Sequence, residues 1–268
     1  MLWQSWPSDA FWIEPASLVT RHERLELPHW GADLRVAVLS DLHNGSPHVG
    51  LDKVRRIVDL MNAEQPDLVL LLGDYSIGGP NGSSGVMGGR FVPPEETAVV
   101  LKNLHAPLGV FAVLGNHDWW FDAERIARAL TSASITVLDN HSRRIDRPGA
   151  AFWLGGIADY WTAGPNITRT LEQMDGSEPV LLFTHNPDIV PDVPERVSLT
   201  IAGHTHGGQV NLPLIGSPIV PSDCGYTRGH FVEQGRHLFV TSGVGTSIIP
   251  VRFGVRPEIV ILTLVKAP

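Results

Sequence analysis

Short apolar runs, each closed by a glycine or a polar residue, recur along the chain and set its rhythm. Residues 34–40, 68–72, 110–114, 180–184 and 199–202 are nearly continuous in Leu, Val, Ile, Phe and Ala, the pattern of strands covered on both faces. Between the first two runs, residues 52–63 bring Val54, Ile57, Val58, Leu60 and Met61 to one face and stop ahead of Pro66, so an amphipathic helix is expected there. Further helices are expected over 95–104, 123–132 and 167–174. Further strands are expected over 136–138, 152–156, 237–241 and 258–265, with a short edge strand over 21–27. The repeated order of strand, helix and strand predicts an α/β protein with right-handed crossovers, and the strands after residue 200 complete a second sheet. Two glycine- and proline-rich stretches, 76–94 and 212–229, interrupt the rhythm and read as loops. The first of them, directly after a candidate ligand, reads as a functional flap. The expected organisation is an N-terminal segment, 1–33, that carries the edge strand and packs on a single domain spanning 34–268.

Composition narrows what such a fold does. The chain has 268 residues, 43% hydrophobic and 18% charged, enough for a sizeable core. Its net charge of −8 argues against a long nucleic acid as partner; an anionic substrate would need the sign reversed locally. The one cysteine, Cys224, excludes an intramolecular disulfide and a Cys-rich zinc site, and it reads as a buried thiol. No apolar run reaches the roughly 18 to 20 residues of a spanning helix, and the start lacks the n- and h-regions of a secretory signal. Trp3, Trp6, Phe11 and Trp12 crowd that start. They read either as a segment packed on its own domain or as a peripheral membrane contact, so the expected location is cytoplasmic, with membrane attachment as the variant. The sequence carries no signal for an oligomeric state.

The strand ends hold the chemistry. The run at 34–40 leads into Asp41-Leu42-His43, 68–72 into Gly73-Asp74, 110–114 into Gly115-Asn116-His117-Asp118, 180–184 into His185, and 199–202 into Gly203-His204-Thr205-His206-Gly207-Gly208. Glycines let the backbone approach whatever the imidazoles hold, and Asp, Asn and His are ligands for divalent cations. Each residue also has a plain reading: Asp41 or Asn116 as a helix cap, His117 as a hydrogen-bonded loop histidine, Asp118 as an N-cap before the helix at 123. Those plain readings do not account for all five strand ends together. His22, His29, His48, His105, His141, His230 and His237 have no such setting and read as surface or core residues. Trp119, Trp120 and Phe121 read as pocket lining or packing, and Tyr226, Arg228 and Arg252 as candidates for the same cleft.

In that order and at those positions, the five motifs resemble the calcineurin-like metallophosphoesterases, over about residues 34 to 207. Softer features of the tail, from Gly208-Gln209-Val210 through Pro221-Ser222 to Arg252-Phe253-Gly254, resemble the bacterial branch of YkuE and YaeI. The resemblance implies a four-layer α/β/β/α sandwich of two mixed sheets flanked by helices. It implies that Asp41, His43 and His206 hold one metal ion, that Asn116, His185 and His204 hold the other, and that Asp74 bridges them. Manganese, iron, zinc, cobalt or nickel suits such mixed nitrogen and oxygen donors. Two divalent ions, two carboxylates and one hydroxide sum to about +1, which attracts phosphate to an acidic protein. The implied reaction is attack of a metal-bridging hydroxide on a phosphomonoester or, preferentially, a phosphodiester, with His117 as general acid and Asp118 orienting its imidazole. A small-molecule or lipid-linked phosphoester is the expected substrate. A UDP-diacylglucosamine-type pyrophosphate hydrolase at the membrane is the alternative, and a non-catalytic metal-binding scaffold is the rival from another class.

Overall fold

In the computed structural model, which describes residues 8–78, 86–147, 149–172, 174 and 176–268, twelve strands form two six-stranded sheets. Trp3 and Trp6 of the aromatic start and residues 79–85 of the expected flap lie outside the described residues. The first sheet contains β1 (Val19–Leu27), β2 (Leu34–Leu39), β3 (Leu68–Leu71), β4 (Val110–Ala112), β5 (Thr136–Val137) and β12 (Glu258–Lys266), in the order β1-β12-β2-β3-β4-β5. The second contains β6 (His141–Ile145), β7 (Phe152–Ile157), β8 (Val180–Thr184), β9 (Leu199–Ala202), β10 (Gly229–Glu233) and β11 (Arg236–Val240), in the order β10-β11-β9-β8-β7-β6. Both sheets are mixed. Strands β2 to β5 run parallel, and β12 joins β2 antiparallel while pairing in parallel with β1. In the second sheet β7, β8, β9 and β11 are parallel, with antiparallel β6 and β10 at the two edges.

The near-continuous apolar runs follow from burial on both faces. In β2, Val36 and Val38 point between the sheets and meet Leu154, Leu181, Phe183 and Ile201 of the second sheet. Ala37 and Leu39 point the other way, to Val54, Ile57, Val58 and Met61 of α1 (Leu51–Ala63) and to residues of α2 (Pro94–Leu101) and α4 (Ala123–Ser132). The outer face of the second sheet is covered more thinly. A short helix, α5 (Ile167–Glu172), the 3-10 turn Pro187–Asp192 and Tyr226 pack on Leu182, Leu238 and Val240. The result is the expected four-layer α/β/β/α sandwich, and no helix among the described residues is long and apolar enough to cross a membrane.

Several expectations give way to the structure. Of the strands expected to complete the second sheet, only the one at 237–241 does so; the strand at 258–265, as β12, instead sits inside the first sheet between β1 and β2. Strands β6 and β10 were not foreseen: their residues are mostly exposed or half-exposed, and an edge strand hydrogen-bonded on one side needs no apolar alternation. Residues Ser76 to Gly78 of the glycine-rich stretch and Val86 are buried. Cys224 is exposed rather than buried. The Tyr226 ring packs in the outer core of the second sheet and its hydroxyl donates to Glu233.

Candidate metal centre

Strands β2, β3 and β4 of one sheet and β8 and β9 of the other all deliver their C-terminal ends to one edge of the sandwich, where ligands of open α/β sheets collect. Asp41 and His43 follow β2, Asp74 follows β3, Asn116 follows β4, His185 follows β8, and His204 and His206 follow β9. All seven side chains are buried. Five of the seven residues have left-handed backbones, with φ of 53° at Asp41, 41° at His43, 56° at Asp74, 68° at His204 and 50° at His206. Non-glycine residues rarely adopt this conformation, and clusters of it mark sites where the surrounding fold over-determines the chain. Close approach is possible because Gly203 lacks a side chain, since a Cβ there would fall on Ser40 Oγ and Asp41 Oδ2.

The donor atoms converge in two overlapping groups. His43 Nε2 lies 3.2 Å from His206 Nε2, and His206 Nε2 lies 3.4 Å from Asp41 Oδ1. His185 Nε2 lies 3.1 Å from Asn116 Oδ1 and 3.1 Å from His204 Nδ1. Asp74 Oδ2 stands between the groups, 3.4 Å from His43 Nε2 and 3.3 Å from His185 Nε2. Two nitrogens that each bind one ion at about 2.1 Å with a tetrahedral angle are separated by about 3.4 Å, so the imidazole spacing suits a shared cation. Asp41 Oδ1 is buried without a hydrogen-bond donor, which costs free energy unless a cation satisfies it. His185 Nδ1 donates to the Leu72 carbonyl at 2.8 Å, which turns the Nε2 lone pair into the site, as the outer contact of a metal-bound histidine does. These residues fit two divalent ions.

The electrostatics agree. Burial, helped by neighbouring cationic groups, pushes the His43 and His204 imidazoles down to about 3 and His206 well below its ordinary value, so they are neutral and ligand-competent at pH 7. Burial pushes the Asp41 carboxyl up to about 6. For Asp74 and His185 burial disfavours both charges, but their mutual attraction wins, holding Asp74 well below the usual carboxylate range and His185 well above the usual imidazole range. The proton on His185 sits where a metal ion would replace it.

His117 and Asp118 sit on α3 (Asn116–Phe121), directly after Asn116. The His117 ring is half-buried beside the His43 ring, with centroids 4.8 Å apart; its backbone N–H donates to Asp74 Oδ1 at 2.9 Å, and its Nε2 lies 3.3 Å from Ser247 Oγ. The expected contact between Asp118 and the His117 ring is replaced by another arrangement. The Asp118 carboxylate accepts the backbone N–H groups of Asp74 at 2.8 Å, Tyr75 at 2.9 Å and Gly115 at 2.9 Å. It ties the β3 and β4 loops together instead of steering the imidazole. Burial and then the Asp74 charge push its carboxyl up to about 8, against these three donors.

Arg252 and Arg228 also fall outside the cleft. The fully buried Arg252 guanidinium donates to the carbonyls of Ser242, Gly243, Gly245 and Val255, and Arg228 lines a separate cavity beside Arg21, Arg256 and Glu258. Two residues at the centre were missed by sequence reasoning: Ser247, next to His117, and Trp161, whose ring lies 4.3 Å from that of His204. The signal for the first was present, because Gly243-Val244-Gly245 closes the strand at 237–241 as other glycines close the ligand-bearing strands. There Val244 N donates to Ser40 O at 3.1 Å and Gly245 N to Asp41 O at 2.6 Å.

Residues 34–208 match the family model described as calcineurin-like phosphoesterase. The chain is 34% identical over 261 residues to the phosphodiesterase YaeI of Escherichia coli, covering 95% of this chain and 89% of that protein. It is 28% identical over 265 residues to the uncharacterized metallophosphoesterase YkuE of Bacillus subtilis, covering 95% and 88%. Among solved structures, the Haemophilus influenzae NAD nucleotidase shares the fold with a TM-score of 0.53 at 16% identity, over 82% of this chain and 46% of that one.

Proposed function

The chain belongs to the calcineurin-like phosphoesterases, and from that premise we propose that it hydrolyses phosphodiesters in preference to monoesters, at two divalent ions held by Asp41, His43 and His206 on one side and Asn116, His185 and His204 on the other, with Asp74 shared. The observation that carries this reading is the meeting of seven buried donors from five strand ends. Manganese, iron, zinc, cobalt and nickel all suit that donor set. Bound ions of this kind neutralise phosphoryl oxygens and lower the pKa of water.

The chain's own residues do the rest. His117 is half-buried at the mouth of a cavity of about 270 Å³ that also reaches Asp74, Asn116, His204 and His206. Its Nε2 gives a proton to the leaving oxygen as the bond from phosphorus to that oxygen breaks and a water oxygen bonds to phosphorus. One water is consumed, and an alcohol and a phosphomonoester are released. Ser247 Oγ, 3.3 Å from that nitrogen, orients the ring. Asp118 acts one step back, as the clasp that keeps Asp74 and Asn116 on facing loops.

The test uses protein reconstituted with Mn²⁺, bis(4-nitrophenyl) phosphate and 4-nitrophenyl phosphate. Turnover of the diester exceeds that of the monoester, and His117→Ala lowers it by about 10² to 10⁴-fold, the range of general acid catalysis, while keeping bound metal. Protein that binds two equivalents of metal yet hydrolyses neither ester overturns the proposal and leaves the scaffold reading.

A second reading, a lipid-linked phosphoester at a membrane surface, is favoured by exposed apolar residues around the cleft. Ile219 and Ile248 line it, and Met87 N donates to Ile248 O. Phe11, Trp12 and Ile13 are exposed on a turn joined to this region by the bond from Arg252 N to Ala10 O at 2.9 Å. Flotation with anionic vesicles tests it: binding is lost in Trp12→Ser with Ile248→Ser, and protein that stays with the unbound fraction in its native form sinks it.

A further inference from the structure

A centre that binds phosphate is flanked here by walls of the opposite character. The floor of the 270 Å³ cavity is the metal centre, and beside Thr205, Gln209 and Ser247 its sides are formed by Trp120, Trp161, Ile219, Pro221 and Ile248. No lysine or arginine lines it among the described residues, and the residues outside the description, 1–7, 79–85, 148, 173 and 175, include none. Arg252 lies beneath the site, its Nη2 donating to the Ser242 and Gly245 carbonyls and standing 3.3 Å from His206 Nδ1, and does not line the cavity. A second phosphate on the substrate would thus find no side-chain cation, which such groups ordinarily receive from Arg or Lys.

The two indoles are placed for a different partner. Trp120 is 51% exposed, and its ring stands 4.9 Å from that of His117. Trp161 is 46% exposed, and its ring stands edge-on to His204 at 4.3 Å and 88°. The Trp161 loop is fixed from below: the buried Asp159 carboxylate accepts Trp161 N at 3.0 Å, Thr162 N at 2.9 Å and Thr162 Oγ1 at 2.7 Å. Large aromatic faces left open to solvent yet touching two site histidines are prearranged apolar walls.

Resting on the phosphodiesterase reading above, we infer that the substrate is a diester of a single phosphate with apolar or aromatic ester groups: the leaving alcohol lies along Trp120, beside the His117 proton donor, and the retained group lies against Trp161. Esters carrying a second phosphate, including nucleoside diphosphate sugars and lipids, are disfavoured.

The experiment compares two esters with the same leaving group, phenyl 4-nitrophenyl phosphate and methyl 4-nitrophenyl phosphate, on the Mn²⁺-loaded enzyme. The phenyl ester has a kcat/KM about tenfold higher, as expected when an aromatic pocket takes one ring in place of a methyl. In Trp161→Ala that ratio falls toward one, and in Trp161→Phe it is largely kept. Binding is read separately, by quenching of tryptophan fluorescence with phenylphosphonate and methylphosphonate: phenylphosphonate binds about tenfold tighter, and both Trp120→Ala and Trp161→Ala reduce that advantage. The 4-nitrophenyl ester of thymidine 5′-diphosphate is turned over no faster than that of thymidine 5′-monophosphate. Hydrolysis with equal efficiency for phenyl and methyl esters, or a tenfold gain from the second phosphate, overturns this inference and leaves the phosphodiesterase reading standing. Failure to hydrolyse any of these esters removes that reading and this inference with it.

Discussion

Asp74 is the residue on which the two donor groups depend, since its Oδ2 lies within 3.4 Å of His43 Nε2 and within 3.3 Å of His185 Nε2. Replacing it by asparagine removes the shared negative charge and keeps the shape. In Asp74→Asn, bound manganese measured by elemental analysis falls below the two equivalents expected of the native protein, and diester turnover falls by at least about 10²-fold. Asp139, which is not one of the seven donors, gives a pH-dependent counterpart. Its Oδ1 accepts Leu114 N at 3.1 Å, and burial pushes its carboxyl up to about 7. A folded-state value above the unfolded one means that the stability it contributes is complete below the ordinary carboxylate value and is lost as pH rises toward 7. Asp139→Asn, which keeps the acceptor and removes the titration, therefore raises the melting temperature relative to the native protein more at pH 8 than at pH 5. An equal difference at both pH values would rule out this origin.

At the level of elements, the site is made by loops that leave strand ends and turn back in the left-handed region, so the close approach of one loop to the next matters as much as the ligands. Gly203 is the clearest case, because a Cβ there falls on Ser40 Oγ and Asp41 Oδ2. Gly31 is the control: a Cβ there meets only Ala150 atoms at 3.8 Å, an ordinary contact. Gly203→Ala lowers metal content and the melting temperature together, and Gly31→Ala leaves both close to native, by calorimetry and metal analysis. The two strands absent from the sequence reading, β6 and β10, are edge strands, and their absence has the same physical root as their exposure. Pairing with β7 and β11 supplies their order, and that information resides in the neighbours' backbones.

For the molecule as a whole, bound metal is a ligand of the folded state alone, because donors that lie far apart along the chain meet only when both sheets are assembled. A ligand at a hundred times its Kd stabilises the fold by about 2.7 kcal/mol. For a chain of this size that corresponds to about 5 to 10 °C in Tm. Stripping the protein with a chelator lowers Tm by that amount, and Mn²⁺ restores it; a Tm indifferent to both would show that the seven donors hold no ion in solution.

The sequence by itself determined the buried strands, the helices on the first sheet and the ligand-bearing strand ends, because each is a local matter: apolar side chains at period-two or helical spacing, closed by a glycine and followed at once by Asp, Asn or His. Only the tertiary structure decided what those ends do to one another. His43 and His206 meet across 163 residues, and His117 and Ser247 across 130. Asp118 turns from a candidate partner of its neighbour His117 into a clasp on Asp74 and Tyr75, and Arg252 from a cleft residue into a buried prop. Trp161 becomes a wall of the cleft through β7 and the loop after it. No period or spacing encodes such contacts, since they depend on which backbone group lies within hydrogen-bonding reach once two sheets have packed face to face.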